Sequence, residues 1–157
     1  MKTIIYFIFY LQKNQNDLAL ENLNIAIKEM PENAELHFAK GTVLDKIGEN
    51  EQAELAYKKA IELKADYFDA IYNLGALYFN RGVEYVDLAG SYNERQQNEF
   101  KEAEGNAKMY FDKALPYLEK ANELDPHDRA TMISLKNLYS RTGNEEGYKR
   151  ISEILDN

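Results

Sequence analysis

The small residues of this 157-residue chain recur at an interval of 34, and this period constrains the fold more than any other feature. In the reference stretch, residues 34–65, two helical patterns meet at Gly48. The pairs at the interval of 34 are Gly41 with Gly75, Gly48 with Gly82, Ala19 with Ala53, and Ala26 with Ala60. Such a period is typical of stacked helical hairpins, in which short side chains let two helices approach closely. The sequence therefore predicts an all-α chain of repeated hairpins.

These residues resemble the tetratricopeptide repeat. The matches to the family's Gly, Ala, aromatic and Ala, at the family's spacing, are Gly41, Ala53, Tyr57 and Ala60. Two positions depart from the pattern, since His37 stands where the family usually has Trp and Ala65 where it usually has Pro. The resemblance covers nearly the whole chain. It implies a single domain, a right-handed α-solenoid of antiparallel helical hairpins.

The third of the repeats is longer than the others. The resemblance divides the chain at about 1–33, 34–67, 68–128 and 129–157. In the third repeat the second-helix signature returns 27 residues late, at Ala114, Leu118, Ala121 and Pro126. We therefore expect an insertion at residues 83–109, which would make one hairpin elongated.

The inserted residues keep a helical pattern, so we predict that 83–113 extends both helices of the third hairpin. Apolar residues recur there at three- and four-residue steps, namely Val83, Val86 and Ala89 on one arm and Phe100, Ala103, Ala107 and Tyr110 on the other. The polar stretch 91–98 is the predicted tip. Pro116 should kink or break the returning helix, because proline lacks an amide hydrogen and clashes with the preceding turn.

Short polar residues and glycine predict several helix ends. Asp17, Asn33 and Asp128 are candidate N-caps, since their side chains can accept a hydrogen bond from an unpaired amide of the first turn. Gly48 should end its helix, because glycine tolerates a positive φ. The tyrosines expected in the core are Tyr57, Tyr78 and Tyr139.

Composition bounds the partners of this chain. Its formal net charge is −8, so it has no basic surplus with which to displace the counterions of a nucleic acid. The same charge disfavours an anionic membrane surface. Because cysteine is absent, neither a disulfide framework nor a thiolate metal site is expected.

The first residues allow two interpretations. One lysine followed by the apolar run 4–11 resembles the front of a secretory signal, but no small-residue cleavage site follows and eight residues cannot span a bilayer. We interpret residues 2–13 as the first helix of the first repeat, and we expect no membrane insertion. The compartment stays open: the cytoplasm is favoured because no complete signal peptide is visible, and the periplasm is the alternative if the chain is a fragment.

That first helix would be apolar on every face. The outer face of a solenoid end is normally polar, and an exposed apolar patch usually marks an interaction site. We therefore expect this end to be covered by upstream repeats or by a second copy, in a homodimer joined through outward-facing Ile5 and Phe9.

No residue pattern indicates catalysis. His37 and His127 are far apart in sequence; we expect His37 to pack as an aromatic substitute, and His127 to lie in a turn between repeats. Glu99, Glu102 and Glu104 are expected on a solvated helix face. No phosphate-binding glycine loop, zinc-protease motif or nucleophile elbow occurs. We predict no enzyme activity, no cofactor and no metal.

The resemblance implies that first helices of the repeats line a concave groove that binds a protein or peptide. The implied groove residues are Phe38, Thr42, Asp45, Asp69, Tyr72, Asn73, Phe79, Ile133, Asn137 and Arg141. Family members that clamp a C-terminal carboxylate do so with Lys, Asn, Asn, Lys and Arg, and of the positions matched here only Asn73 agrees. We therefore reject that specific role.

Three hypotheses for function remain. The first is a scaffold whose groove binds a segment with apolar anchors and some basic character. The second is a structural assembly protein that acts through the elongated hairpin or the apolar N-terminal end. The third, an enzyme with the insertion as a lid, has no supporting residue pattern.

Overall fold

A computed structural model describes residues 15–156 of the chain, and these residues form helices without any strand. The helices are α1 (Asn16–Glu29), α2 (Ala34–Lys46), α3 (Asn50–Leu63), α4 (Phe68–Ser91), α5 (Gln97–Leu124), α6 (Arg129–Thr142) and α7 (Glu145–Leu155). The predicted all-α class is confirmed. The predicted first helix, with Ile5 and Phe9, lies outside the described residues.

The described residues divide into two compact units, the first ending at Asn73 and the second beginning at Leu74. In the first unit, α1 packs on α2 through buried apolar residues, which are Ala19, Leu23, Ala26, Leu36 and Val43. The core tyrosines were predicted correctly, since Tyr57, Tyr78 and Tyr139 are all buried. Among residues 15–156, no helix combines the length and the apolar character needed to cross a bilayer.

Most predicted helix ends are confirmed. The Asn33 side chain accepts a hydrogen bond from the Leu36 amide at 3.0 Å, and the Asp128 carboxylate accepts one from the Thr131 amide at 2.7 Å. Gly48 has a φ of +82°, as a left-handed helix terminus requires. The prediction for Asp17 was wrong, because α1 already begins at Asn16 and Asp17 lies in its first turn.

Close approach between paired helices explains the spacing of the glycines. A Cβ added at Gly41 would lie 2.6 Å from the Tyr57 ring, closer than side chains pack. A Cβ at Gly75 would likewise lie 2.9 Å from Leu118. Leu118 follows Tyr57 by 61 residues, which is one period of 34 plus the 27 inserted residues. The same contact thus forms after the insertion, with its partner displaced as the sequence predicts.

The inserted residues extend the third hairpin as predicted. Helix α4 has 24 residues and α5 has 28, and only 92–96 lie between them. The glycine contact recurs one step further out, because a Cβ at Gly82 would lie 2.5 Å from Phe111. Both partners have moved seven residues, about two helical turns, toward the tip. Helix α5 continues without interruption through Pro116, so of the two predicted outcomes, a kink or a break, the break does not occur.

Aromatic rings and cations join the two long helices on another face. Tyr85 and Tyr110 stack with their centroids 5.6 Å apart, and the Arg81 guanidinium lies 5.4 Å from the Tyr110 ring. The Lys113 ammonium lies over the rings of Tyr78 and Tyr110, at 5.6 and 5.2 Å. These cation–π contacts stabilise the pairing of the extended arms.

Candidate functional site

The groove residues implied by the sequence fall into two groups, one in each unit. The first-unit face consists of Phe38, Thr42, Asp45, Asp69, Tyr72 and Asn73. The second-unit face consists of Phe79, Ile133, Asn137 and Arg141. All ten side chains are half-buried or exposed, as residues available to a partner must be.

Phe38 is the centre of an aromatic cluster in the first-unit face. Its ring centroid lies 6.0 Å from that of Tyr57 and 5.1 Å from that of Tyr67. Tyr67 was not predicted as a site residue. It lies in the turn before α4, and helical periodicity predicts which face a residue occupies only within a helix. Its pKa is raised by burial and then by the negative charges of Glu35 and Asp69. The cluster therefore combines aromatic surface with carboxylates.

Two polar residues of this face already have partners inside the protein. The Thr42 hydroxyl donates to the Phe38 carbonyl one turn earlier, at 3.1 Å. The Tyr57 hydroxyl donates to the Asp45 carboxylate at 3.4 Å. Burial raises the pKa of Asp45, and this hydrogen bond partly offsets the rise. The Asp45 bond therefore helps to hold α2 and α3 together, whereas the Thr42 bond lies within α2.

The remaining residues of the first-unit face lie on α4. Tyr72 stacks on Phe68, with ring centroids 6.2 Å apart and planes nearly parallel. Asp69, which follows Phe68 in sequence, is exposed, and Asn73, which follows Tyr72, is half-buried. A rigid aromatic pair beside a carboxylate and an amide offers both apolar contact and hydrogen bonds to a bound chain.

The second-unit face is centred on Arg141. Its guanidinium lies 5.9 Å from the ring of Phe79 and 5.9 Å from that of Phe111. These two rings are tilted by 42°, with their centroids 5.7 Å apart. The structure thus brings Arg141 and Phe79 together. Ile133 and Asn137 occupy earlier turns of α6, where both are exposed. Phe111 was predicted neither as groove nor as core.

Beside Arg141 the second unit contains a cleft of about 570 Å³. Its walls come from α4, α5 and the end of α6, and the lining residues are Val86, Ala89, Gly90, Phe100, Glu104, Ala107, Lys108, Phe111, Asp112, Arg141 and Thr142. Val86 and Phe100 are each 37% exposed, although their place in the apolar stripe predicted contact between the arms. We call this feature the hairpin cleft.

The register of the hairpin explains why the cleft opens. Leu118 and Phe111 fill the space beside Gly75 and Gly82. One further step of seven residues brings the chain to Ala89 on α4 and Glu104 on α5, which both line the cleft. At this step Glu104 replaces a bulky apolar side chain such as Leu118 or Phe111, so the space between the two arms stays empty and forms the cleft.

The histidines take part in local structure. The His37 ring nitrogen Nε2 lies 2.8 Å from the Pro31 carbonyl, so this half-buried side chain joins the start of α2 to the turn before it. The His127 amide donates to the Asp125 carboxylate at 3.0 Å, in the turn before α6. Within residues 15–156, no group of three His, Asp or Glu side chains is arranged to hold a metal ion.

Comparison with known proteins agrees with this architecture. The TPR repeat family model matches residues 46–82, across the Gly48 turn and α3 into α4. A TPR repeat-containing protein of Methanocaldococcus jannaschii is 34% identical over 147 residues, or 92% of this chain. This chain is a tetratricopeptide repeat (TPR) protein. It spans about one fifth (20%) of the length of the Methanocaldococcus jannaschii protein.

Solved structures of the same fold carry different ligands. The human IFIT1 dimer with m7Gppp-AAAA has a TM-score of 0.76 at 13% identity, over 98% of this chain and 32% of that one. The first TPR of Spaghetti (RPAP3), bound to the HSP90 peptide SRMEEVD, has a TM-score of 0.62 at 17% identity, over 99% and 94%. At these identities the likeness is one of fold alone. The TPR fold is a protein–protein interaction scaffold.

Proposed function

We propose that this TPR protein binds an extended or helical protein segment with apolar anchors and some basic character. The aromatic side chains on and beside the first-unit face carry the proposal. Phe38, Tyr67 and Tyr72 present large ring surfaces with few rotatable bonds, so little side-chain conformational entropy is lost when a partner binds. Glu35 and Asp69 place negative charge beside Tyr67, where a lysine or arginine of the segment would be favoured.

The charge of the whole chain supports a protein partner over a nucleic acid. Because the formal net charge is −8, a polyphosphate backbone would be repelled at long range and would gain little from counterion release. TPR proteins are in general non-catalytic scaffolds, which agrees with the lack of a catalytic motif. A basic, apolar peptide is the ligand that fits both the charge and the aromatic surface.

A peptide panel tests this proposal directly. Peptides of equal length and apolar content, with net charges from acidic to basic, would be titrated against the protein at several salt concentrations. We expect basic peptides to bind best and to weaken as salt rises. Tight binding of the acidic peptides, strengthened at low salt, would contradict the assignment of the face.

Truncation of one aromatic residue localises the binding. Tyr72→Ala should weaken the best peptide by about tenfold, as is common for a central aromatic residue. Tyr148→Ala is the matched control, because Tyr148 is 40% exposed on α7 and belongs to neither face. Equal losses in the two variants would place the binding elsewhere.

A structural assembly role is the second candidate, and one observation favours it. Leu88 and Met109, on the two arms of the elongated hairpin, are 42% and 41% exposed. They lie outside the lining of the hairpin cleft. Light scattering of the wild type and of a variant lacking residues 84–108 distinguishes the roles. Assembly that disappears with the deletion would support this candidate over the groove.

A further inference from the structure

We propose that the hairpin cleft is a second binding site, which takes the bulky apolar side chains of an amphipathic partner helix whose flanking charges pair with Arg141 and Glu104. The site differs from the proposed first-unit face. It lies wholly within the second unit, and the insertion contributes most of its walls.

The size and lining of the cleft fit apolar anchors. Its volume of about 570 Å³ falls within the usual range for a ligand pocket. Ala89, Gly90 and Ala107 line it without bulky side chains, while Phe100 and Phe111 supply ring surface. Side chains of leucine or phenylalanine are the groups that such a lining would remove from water.

The cleft is open to an incoming helix. A Cβ added at Gly90 would have no atom within 4 Å, and Gly90 is exposed. Val86 and Phe100 leave 37% of their surface in water, which is a large fraction for apolar side chains at the rim of a cavity. Adjoining exposed apolar side chains around a concave site are characteristic of a surface that binds a partner.

The charges of the cleft specify the partner further. Lys108 and Asp112 pair with each other at 2.6 Å, so they neutralise one another. Arg141 and Glu104 form no ion pair with any residue of the described range 15–156. The Arg141 guanidinium is held over Phe79 and Phe111, with its remaining surface exposed. One cation and one anion are thus left for a ligand.

The positions of Glu104 and Phe111 along α5 favour a helical partner. Glu104 precedes Phe111, over which Arg141 lies, by seven residues, or about 10 Å along the α5 axis. Two residues separated by seven positions on a partner helix span the same distance and share one face. An acidic residue at one position would meet Arg141, a basic residue at the other would meet Glu104, and apolar residues between them would enter the cleft.

The probe for this site is a fluorescent, alanine-based helical peptide of about 18 residues. It carries Glu, Leu, Leu and Arg at positions i, i+3, i+4 and i+7, and its affinity is measured by fluorescence anisotropy. Gly90→Phe should fill the cleft and weaken binding about tenfold or more. The matched control is Gly105→Phe, since Gly105 is equally open, lies on α5 of the same hairpin and does not line the cleft.

The charges are tested separately from the cavity. Arg141→Gln should weaken the charged peptide about two- to fivefold, the range of an exposed ion pair. The same substitution should leave a second peptide, with Gln in place of both Glu and Arg, unaffected. Tyr72→Ala, in the first-unit face, should not change the binding of either peptide, so that failure of the proposed function and failure of this site are distinguishable.

Two results would overturn the proposal. The first is equal affinity of the charged peptide for the wild type, Gly90→Phe and Arg141→Gln. The second is a wild type that self-associates in light scattering and becomes monomeric on Gly90→Phe, since the occupant would then be a second copy. Should Gly90→Phe lose its helical circular dichroism, Gly90→Leu and Arg141→Gln provide the same comparison.

Discussion

Glycine has opposite roles at different places in this chain. Gly41 is buried on α2 with the Tyr57 ring against it, so only a hydrogen atom fits. Gly105 is exposed on α5 with no atom within 4 Å of where a Cβ would lie. The first residue permits helix packing, whereas the second only weakens a helix, because glycine has the greater freedom in the unfolded chain.

The same substitution at these two sites should therefore change stability in opposite directions. We expect Gly41→Ala to lower the free energy of unfolding by about 1–3 kcal/mol, as overpacking does. Gly105→Ala should raise it by up to about 1 kcal/mol. Urea denaturation followed by circular dichroism measures both. A neutral Gly41→Ala would mean that the buried Tyr57 ring can move aside.

Tyr139 makes the stability of the second unit depend on pH in the alkaline range. Burial, followed by its 2.9 Å hydrogen bond to the Glu119 carboxylate, raises the pKa of Tyr139 to about 12. The unfolded value is about 10. Because the folded pKa is the higher one, the stabilisation is complete below pH 10 and is lost as the pH rises through about 12.

Tyr139→Phe should remove this part of the alkaline destabilisation. The variant lacks the ionisable hydroxyl, so its free energy of unfolding should fall less between pH 10 and 12 than that of the wild type. Tyr148→Phe, at an exposed tyrosine, is the control and should follow the wild type. Identical pH profiles for all three proteins would contradict the link between Tyr139 and alkaline unfolding.

The elongated hairpin is held by contacts that repeat every seven residues. The glycines Gly75 and Gly82 on α4 meet Leu118 and Phe111 on α5, and the pattern ends where Glu104 replaces the next bulky residue. The hairpin therefore has a base packed by bulky side chains and an outer half in which smaller residues leave a cleft. This division predicts where a truncation along α5 is harmful.

Two phenylalanines of α5 test that division. Phe111 is 4% exposed and Phe100 is 37% exposed. Phe111→Ala should cost about 3–5 kcal/mol, because it leaves a cavity beside Gly82, whereas Phe100→Ala should cost well under half of that. Urea denaturation compares the two variants. Equal losses would show that the outer half is as well packed as the base.

Residues 15–156 form two compact units, each with its own packed helices. In repeat proteins, stability is approximately a sum of local terms, so a defect lowers the stability of its own region most. Local opening is then measurable as faster amide hydrogen exchange.

Gly41→Ala should therefore act regionally. Gly41 and Tyr57 both belong to the first unit. We expect amide exchange to accelerate in α2 and α3, at residues 34–63, and to change little in α6 and α7, at residues 129–155. Exchange that accelerates equally throughout would show that the chain opens as a single cooperative body.

The sequence determined the local features of this protein. The caps at Asn33 and Asp128 and the turn at Gly48 depend on interactions within a few residues, and all three are confirmed. The helical insertion was equally predictable, because its apolar residues keep the period of a helix. The ten implied groove residues proved accessible, but their role as a binding site remains a proposal.

Only the tertiary structure decided which distant residues meet. The period places Val86 and Phe100 on apolar stripes, yet whether two stripes close depends on the residues that face each other across the hairpin. Here Ala89 and Glu104 leave a cleft. Similarly, no local pattern places Tyr67 against Phe38, or Arg141 over Phe111. Periodicity fixes the face of a helix, whereas packing between segments far apart in sequence fixes what that face touches.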